Sequence, residues 1–283
     1  MENNKEINLA ICITRNCNLS CEFCYMEMTG QMINLDILKK NLSYNKFKNV
    51  YLTGGEPFIH PQCKEIIRWI RSRCSHLFIL TNGTLLDRNW IRYLKAFDVN
   101  IILSLRDSMN NMRKKLHEAN QIGLNININH ILTQNTMGIL ENFSPISGYV
   151  KNITFLYPTS TNHNNLNLYG LNEWRQLLME ALSILKPLQV RTYYEPAFML
   201  NLDNNKLIRR IGYESLYMDV DCTYFTCCLL ADIIKGSSDL NLSKCDLEFC
   251  PVLNKAMKIP NGYKRICPLI VEYLEEYSIF DLS

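Results

Sequence analysis

The chain has 283 residues, 47% hydrophobic and 20% charged, with a formal charge of +3 from 30 Lys+Arg against 27 Asp+Glu. That balance fits one large domain, or one domain with a small appendage, and argues against a disordered chain and a dedicated nucleic-acid binder. Twelve cysteines are too sparse for a secreted disulfide scaffold, the first residues show no signal-peptide pattern, and no apolar run nears the ~18 residues that span a bilayer. The expected compartment is a reducing cytoplasm, where cysteines serve metal or redox chemistry.

In chain order, apolar runs predict strands over 7–13, 49–53, 76–80, 99–105, 125–132 and 150–157. Amphipathic stretches predict helices around 35–42, 63–74, 88–95 and 112–122. Cys63, Ile66, Ile67, Ile70 and Cys74 share one helical face, so Cys63 and Cys74 read as core thiols, as does Cys12 inside the first strand. The run Arg113-Lys114-Lys115 reads as a solvated helix face. Strands alternating with helices indicate an α/β fold, a partial (β/α)6 barrel over residues 1–160, with functional loops at the C-terminal ends of the strands.

Past Tyr157 the pattern changes. Residues 159–167 are polar and read as a loop or lid; Trp174, Leu177, Leu178, Ala181, Leu182 and Leu185 make a helical stripe stopped before Pro187. A lid, linker and helix over 161–211 lead to a small cysteine-rich α+β extension over 212–283, opening with a hairpin-like stretch at 213–228 and closing with a helix through Tyr277.

The cysteines concentrate in two places. Cys17, Cys21 and Cys24 form a C-x3-C-x2-C loop after the first strand. Cys222, Cys227, Cys228, Cys245, Cys250 and Cys267 lie in the last quarter. A closed zinc site needs four ligands, whereas three thiolates on a four-iron cluster leave one iron open; spacing alone leaves both readings standing.

The triplet, with Phe23 before and Tyr25 after its last cysteine, resembles the cluster signature of the radical S-adenosylmethionine (radical SAM) superfamily. Thr53-Gly54-Gly55-Glu56-Pro57 resembles that family's GGEP motif, and Leu80-Thr81-Asn82-Gly83, Ser104-Leu105-Arg106-Asp107 and Asn129 fall at the next three strand ends. The resemblance covers about residues 7–157. It implies a [4Fe–4S] cluster with an open iron on Cys17, Cys21 and Cys24. It also implies SAM bound near Phe23, Tyr25, Gly54, Gly55, Glu56, Asn82, Ser104, Arg106 and Asn129, and reductive cleavage to a 5′-deoxyadenosyl radical. Glu56 and nearby carbonyls would accept from the SAM amino group, and the glycines would let backbone approach the ligand. Relatives often read Ser-Leu-Asp-Gly where this chain has Ser104-Leu105-Arg106-Asp107, which leaves Arg106 between a site role and a surface pair.

The C-terminal cysteines resemble the twitch or SPASM extension of peptide-modifying members, with Cys222 where glycine is usual and Thr226 where proline is common. The resemblance implies an auxiliary iron–sulfur cluster on Cys227, Cys245 and Cys250, the fourth place open between Cys222, Cys228 and Cys267. A leftover thiol, Cys222 or Cys228, would then donate a hydrogen atom to a substrate radical. The implied function is modification of a ribosomally made peptide, by epimerisation or a C–C or C–S crosslink. The alternatives are a radical SAM enzyme acting on a nucleotide, sugar or cofactor precursor, and a non-enzymatic metal or redox sensor. With the first strand starting by Ile7, a separate leader-binding protein would present the peptide, or the core would bind it directly. A flavodoxin or ferredoxin would supply electrons. His130, Tyr157 and Tyr193-Tyr194-Glu195 each read as core or site-lining.

Overall fold

The computed structural model describes residues 7–43, 47–106, 109–158, 171–194, 200–201, 206–207 and 215–225. Strands β1 (Ile7–Thr14), β2 (Phe47–Gly54), β3 (Cys74–Thr81), β4 (Val99–Ser104), β5 (Ile126–Ile131) and β6 (Asn152–Leu156) pair in sequence order, all parallel. Helices α1 (Leu35–Asn41), α2 (Cys63–Arg71), α3 (Arg88–Ala96), α4 (Met109–Gln121), α5 (Met137–Glu141) and α6 (Leu171–Leu185) follow them in turn. This is the α/β partial barrel that the sequence predicts.

The strands bury one face. In β4 and β5, Ile101, Leu103, Ile126 and Ile128 join a core with helix residues Leu94, Leu116 and Ala119. The alternate residues Asn100, Ser104, Asn127 and Asn129 are half-buried on the other face, and period-2 alternation puts them there together. Local chemistry starts the helices: the Asn34 side chain accepts from the Asp36 and Ile37 amides, and Asp87 from the Trp90 amide at 2.8 Å.

Three local expectations change. Cys74 is not on the α2 face: the helix ends at Arg71, and Cys74 opens β3 opposite Phe47. Parallel pairing with β2 takes the residue away from its helical period. Between β5 and β6 the chain forms α5, where the sequence suggests no helix. A further strand, β7 (Arg191–Tyr194), pairs parallel to β6. Its Tyr193 is exposed and its residues do not alternate apolar with polar, so the strand leaves little pattern.

Strands β8 (Leu200–Asn201) and β9 (Lys206–Leu207) pair with each other. Within 213–228 the expected hairpin is present as β10 (Ser215–Met218) and antiparallel β11 (Tyr224–Phe225). It extends the barrel sheet, with β10 parallel to β1 at the edge opposite β7. Residues 159–170, with the expected lid, lie outside the described residues, as does everything after 225.

Candidate active site

The site is built on the C-terminal ends of β1 to β4. After Thr14 the chain leaves the sheet, carries the three cysteines, and returns to form a bridge between Thr14 and Met32. The Arg15 amide donates to the Gln31 carbonyl at 2.7 Å and the Gly30 amide to the Arg15 carbonyl at 2.9 Å, so the loop is closed at its root. The Arg15 guanidinium is itself buried against the Asp219 carboxylate, Nη2 to Oδ2 at 2.6 Å. The cysteine loop is therefore tied to the β10–β11 hairpin.

The Gly-Gly-Glu segment docks on the same root. The Gly55 amide donates to the Thr14 carbonyl at 2.8 Å and the Glu56 amide to the Asn16 carbonyl at 2.9 Å. A Cβ on Gly54 would overlap the Thr14 carbonyl, and one on Gly55 the Asn16 carbonyl. These glycines thus permit a close approach to the cysteine loop. Glu56 is fully buried. Its Oε1 accepts from Thr81 Oγ1 at 2.8 Å and the Phe58 amide at 3.2 Å, and its Oε2 from the Asn82 amide at 2.8 Å. Burial pushes its carboxyl above the usual range against these donors. Its carboxylate is turned onto β3 and holds the Asn82 backbone beside the cleft.

Asn82 reaches back. Its Nδ2 donates to Asn18 Oδ1 at 3.0 Å and contacts Cys17 Sγ at 3.8 Å. Arg106, just past β4, donates through Nη1 to Cys21 Sγ and lies over the Phe23 ring, 4.7 Å from its centroid. This places Arg106 against the cysteine loop. Cys17, Cys21 and Cys24 are half-buried thiols in no disulfide among the described residues. Burial pushes the Cys24 thiol up, with the nearby Arg106 charge opposing.

Between these parts lies a cleft of about 450 Å³ lined by Leu19, Ser20, Cys21, Phe23, Asn82, Gly83, Thr84, Arg106, Met112 and Lys115. Of the predicted residues it gathers Cys21, Phe23, Asn82 and Arg106. Ser104 and Asn129 are register partners, half-buried at the ends of β4 and β5 and outside the cleft lining. Lys115 departs from the solvated-face expectation: its Nζ donates to the Gly83 carbonyl at 2.5 Å and the Thr84 carbonyl at 2.9 Å. The signal was present, since Met112, Lys115, Leu116 and Ala119 recur at helical spacing.

The remaining thiols separate cleanly. Burial pushes Cys12 up to about 12 and Cys74 to about 11, and Cys63 higher still, so all three stay protonated as core groups. Cys222 is buried at φ +63°, its thiol pushed up to about 11. Cys227, Cys228, Cys245, Cys250 and Cys267 lie outside the described residues. His130 is fully buried beside Phe155, and Tyr157 packs edge-on to Trp174 at 5.6 Å; both are core groups.

Among the described residues no three His, Cys, Asp or Glu side chains converge on a single metal ion. An iron–sulfur cluster instead spreads its cysteine ligands over several irons. Side-chain N–H groups at Cys17 and Cys21 suit sulfurs that carry negative charge, so the residues present fit such a cluster.

Residues 11–122 match the family model of the radical SAM superfamily. That family implies a [4Fe–4S] cluster and bound SAM. Among curated proteins the chain is similar to the antilisterial bacteriocin subtilosin biosynthesis protein AlbA of Bacillus subtilis strain 168, at 29% identity over 113 residues, 38% of this chain and 25% of that protein. It is also similar to a probable GTP 3′,8-cyclase of Pyrococcus abyssi, at 39% identity over 85 residues, 28% of each chain. The matched stretch thus spans about a quarter of the length of these relatives. In fold it is similar to Streptococcus suis SuiB bound to precursor peptide SuiA, with a TM-score of 0.67 at 15% identity, covering 84% of this chain and 63% of that one. No helix among the described residues is long and apolar enough to cross a membrane.

Proposed function

We propose that the chain is a radical SAM enzyme that modifies a ribosomally synthesised peptide, by epimerisation at an α-carbon or by a C–C or C–S crosslink. The observation that carries the SAM chemistry is the network joining Cys17, Cys21, Asn82, Glu56 and Arg106 around one cleft. When bound there, the cluster and SAM supply a one-electron cleavage that yields a 5′-deoxyadenosyl radical. The chain's own residues position and shield. Glu56 fixes the Asn82 backbone, Asn82 and Arg106 hold the cysteine loop, and Phe23 and Met112 give the cleft apolar walls that limit water.

The peptide reading is supported by similarity to AlbA, a bacteriocin biosynthesis protein, and by the cysteine-rich sequence that includes Cys227-Cys228. We assign residues 1–160 to the core, 161–211 to the lid and linker, and 212–283 to an auxiliary-cluster extension. Cys227, Cys245 and Cys250 would be its ligands, with Cys222, Cys228 or Cys267 as the fourth. A separate leader-binding protein, a flavodoxin or ferredoxin donor, and a cytoplasmic setting complete the proposal. The GTP 3′,8-cyclase similarity favours one second reading, a small-molecule substrate.

Anaerobic reconstitution, reduction and addition of SAM should release 5′-deoxyadenosine; no release would remove the enzyme reading. Co-expression with a short peptide encoded beside the enzyme, in deuterated water, separates the rest. A gain of about one mass unit marks epimerisation and a loss of about two marks a crosslink, since each follows from one hydrogen exchanged or two removed. An unchanged peptide, with turnover of a nucleotide, would favour the second reading.

A further inference from the structure

The three cysteines of the loop are not equivalent. Cys17 receives only a neutral amide N–H, from Asn82 at 3.8 Å. Cys24 directs its own sulfur to the Met26 carbonyl at 3.7 Å. Cys21 receives a hydrogen bond from a cationic side chain, through Arg106 Nη1. Arg106 is fixed from two directions. It follows β4 by two residues, and its guanidinium stacks over the Phe23 ring at 4.7 Å. Planar stacking on an aromatic face is a guanidinium property that a lysine ammonium does not share.

A positive charge and an N–H donor at a ligand sulfur both draw electron density from it. Net charge and hydrogen bonds to sulfur are among the factors that set an iron–sulfur potential. We propose that Arg106 is a positioning residue that raises the reduction potential of the cluster on Cys17, Cys21 and Cys24, acting through the Cys21 sulfur. This rests on the cluster reading of the proposed function. In this role Phe23 supports the guanidinium while Nη1 stays on the sulfur. The electron that SAM cleavage needs then enters more readily than it would beside an uncharged residue.

The test is a redox titration, followed by electron paramagnetic resonance, of the full reconstituted chain without SAM. The signal is assigned by its loss in the Cys17, Cys21 and Cys24 triple alanine variant. Arg106→Gln, with iron content equal to wild type, should shift the midpoint to more negative potential. Arg106→Lys, which keeps the charge, should shift it less. An unchanged midpoint in a fully loaded Arg106→Gln protein overturns the proposal, even where SAM affinity falls. Cluster loss from Arg106→Gln but not Arg106→Lys supports a need for charge at that ligand, and loss from both overturns it. Absence of the cluster from the wild-type chain would instead refute the proposed function.

Discussion

The α-carbon of Gly55 sits against the Asn16 carbonyl so closely that a methyl group on it would overlap that oxygen and crowd Cys17 Cβ at 2.9 Å. Gly55→Ala must push the root of the cysteine loop away from β2. Overpacking of this kind costs about 1–3 kcal/mol. The variant should unfold at correspondingly lower urea and take up less iron on reconstitution. Gly138→Ala is the contrast: it lies in α5 with nothing within 4 Å of a new Cβ, and should stabilise by about 0.5 kcal/mol.

The Arg15–Asp219 pair is buried on both sides, with 5% and 10% of the side chains exposed. Removing one partner of a buried pair leaves an uncompensated charge and costs about 3–5 kcal/mol. Asp219→Ala should lose that much in urea titration, and Arg15→Met with Asp219→Leu should recover most of it. A loss under about 1 kcal/mol, the worth of an exposed pair, would mean that the hairpin does not hold the loop.

His130 carries a pH dependence. Burial pushes its imidazole from 6.5 down to about 4, against weaker pulls from the backbone near Leu105 and Thr136. The unfolded chain therefore takes up a proton as pH falls through 6.5, while the folded chain holds the ring neutral until about 4. Stability present at neutral pH is lost as pH falls across that window, by up to about 3 kcal/mol. His130→Leu should flatten this slope; parallel curves for the two proteins would refute the assignment.

Replacing Cys17, Cys21 and Cys24 together by Ala should abolish SAM cleavage while leaving about half the iron on an auxiliary cluster, one of two such clusters. Iron assay and 5′-deoxyadenosine release read the two effects separately. Cys222→Ala and Cys228→Ala should each be tested for sparing SAM cleavage while blocking product. Unchanged turnover in both would remove the hydrogen-donor role.

The six strands of the barrel were legible because each is a short apolar run between amphipathic helices, and parallel strands buried on a face leave that signal. The Cys17 triplet and Gly54-Gly55-Glu56 were legible as motifs, but the contact of the glycines with the cysteine loop was not. Whether a missing Cβ serves a ligand or the Asn16 carbonyl depends on which chain segment lies opposite. Cys74 was misplaced because helical period is local information, while its pairing with Phe47 is not. Arg15 and Asp219 stand 204 residues apart, and no pattern in either neighbourhood points to the other.

That separation also orders events in time. Strand β10 is the partner of β1 on one side, yet it is made long after β1 has left the ribosome. At about 5–20 residues per second, Arg15 waits about 10–40 s for its counter-charge. The sheet edge beside β1 stays unpaired for as long. The loop that carries Cys17, Cys21 and Cys24 thus reaches its final footing only once the chain through Asp219 has been made, so a cluster held there would be loaded after that point and not before.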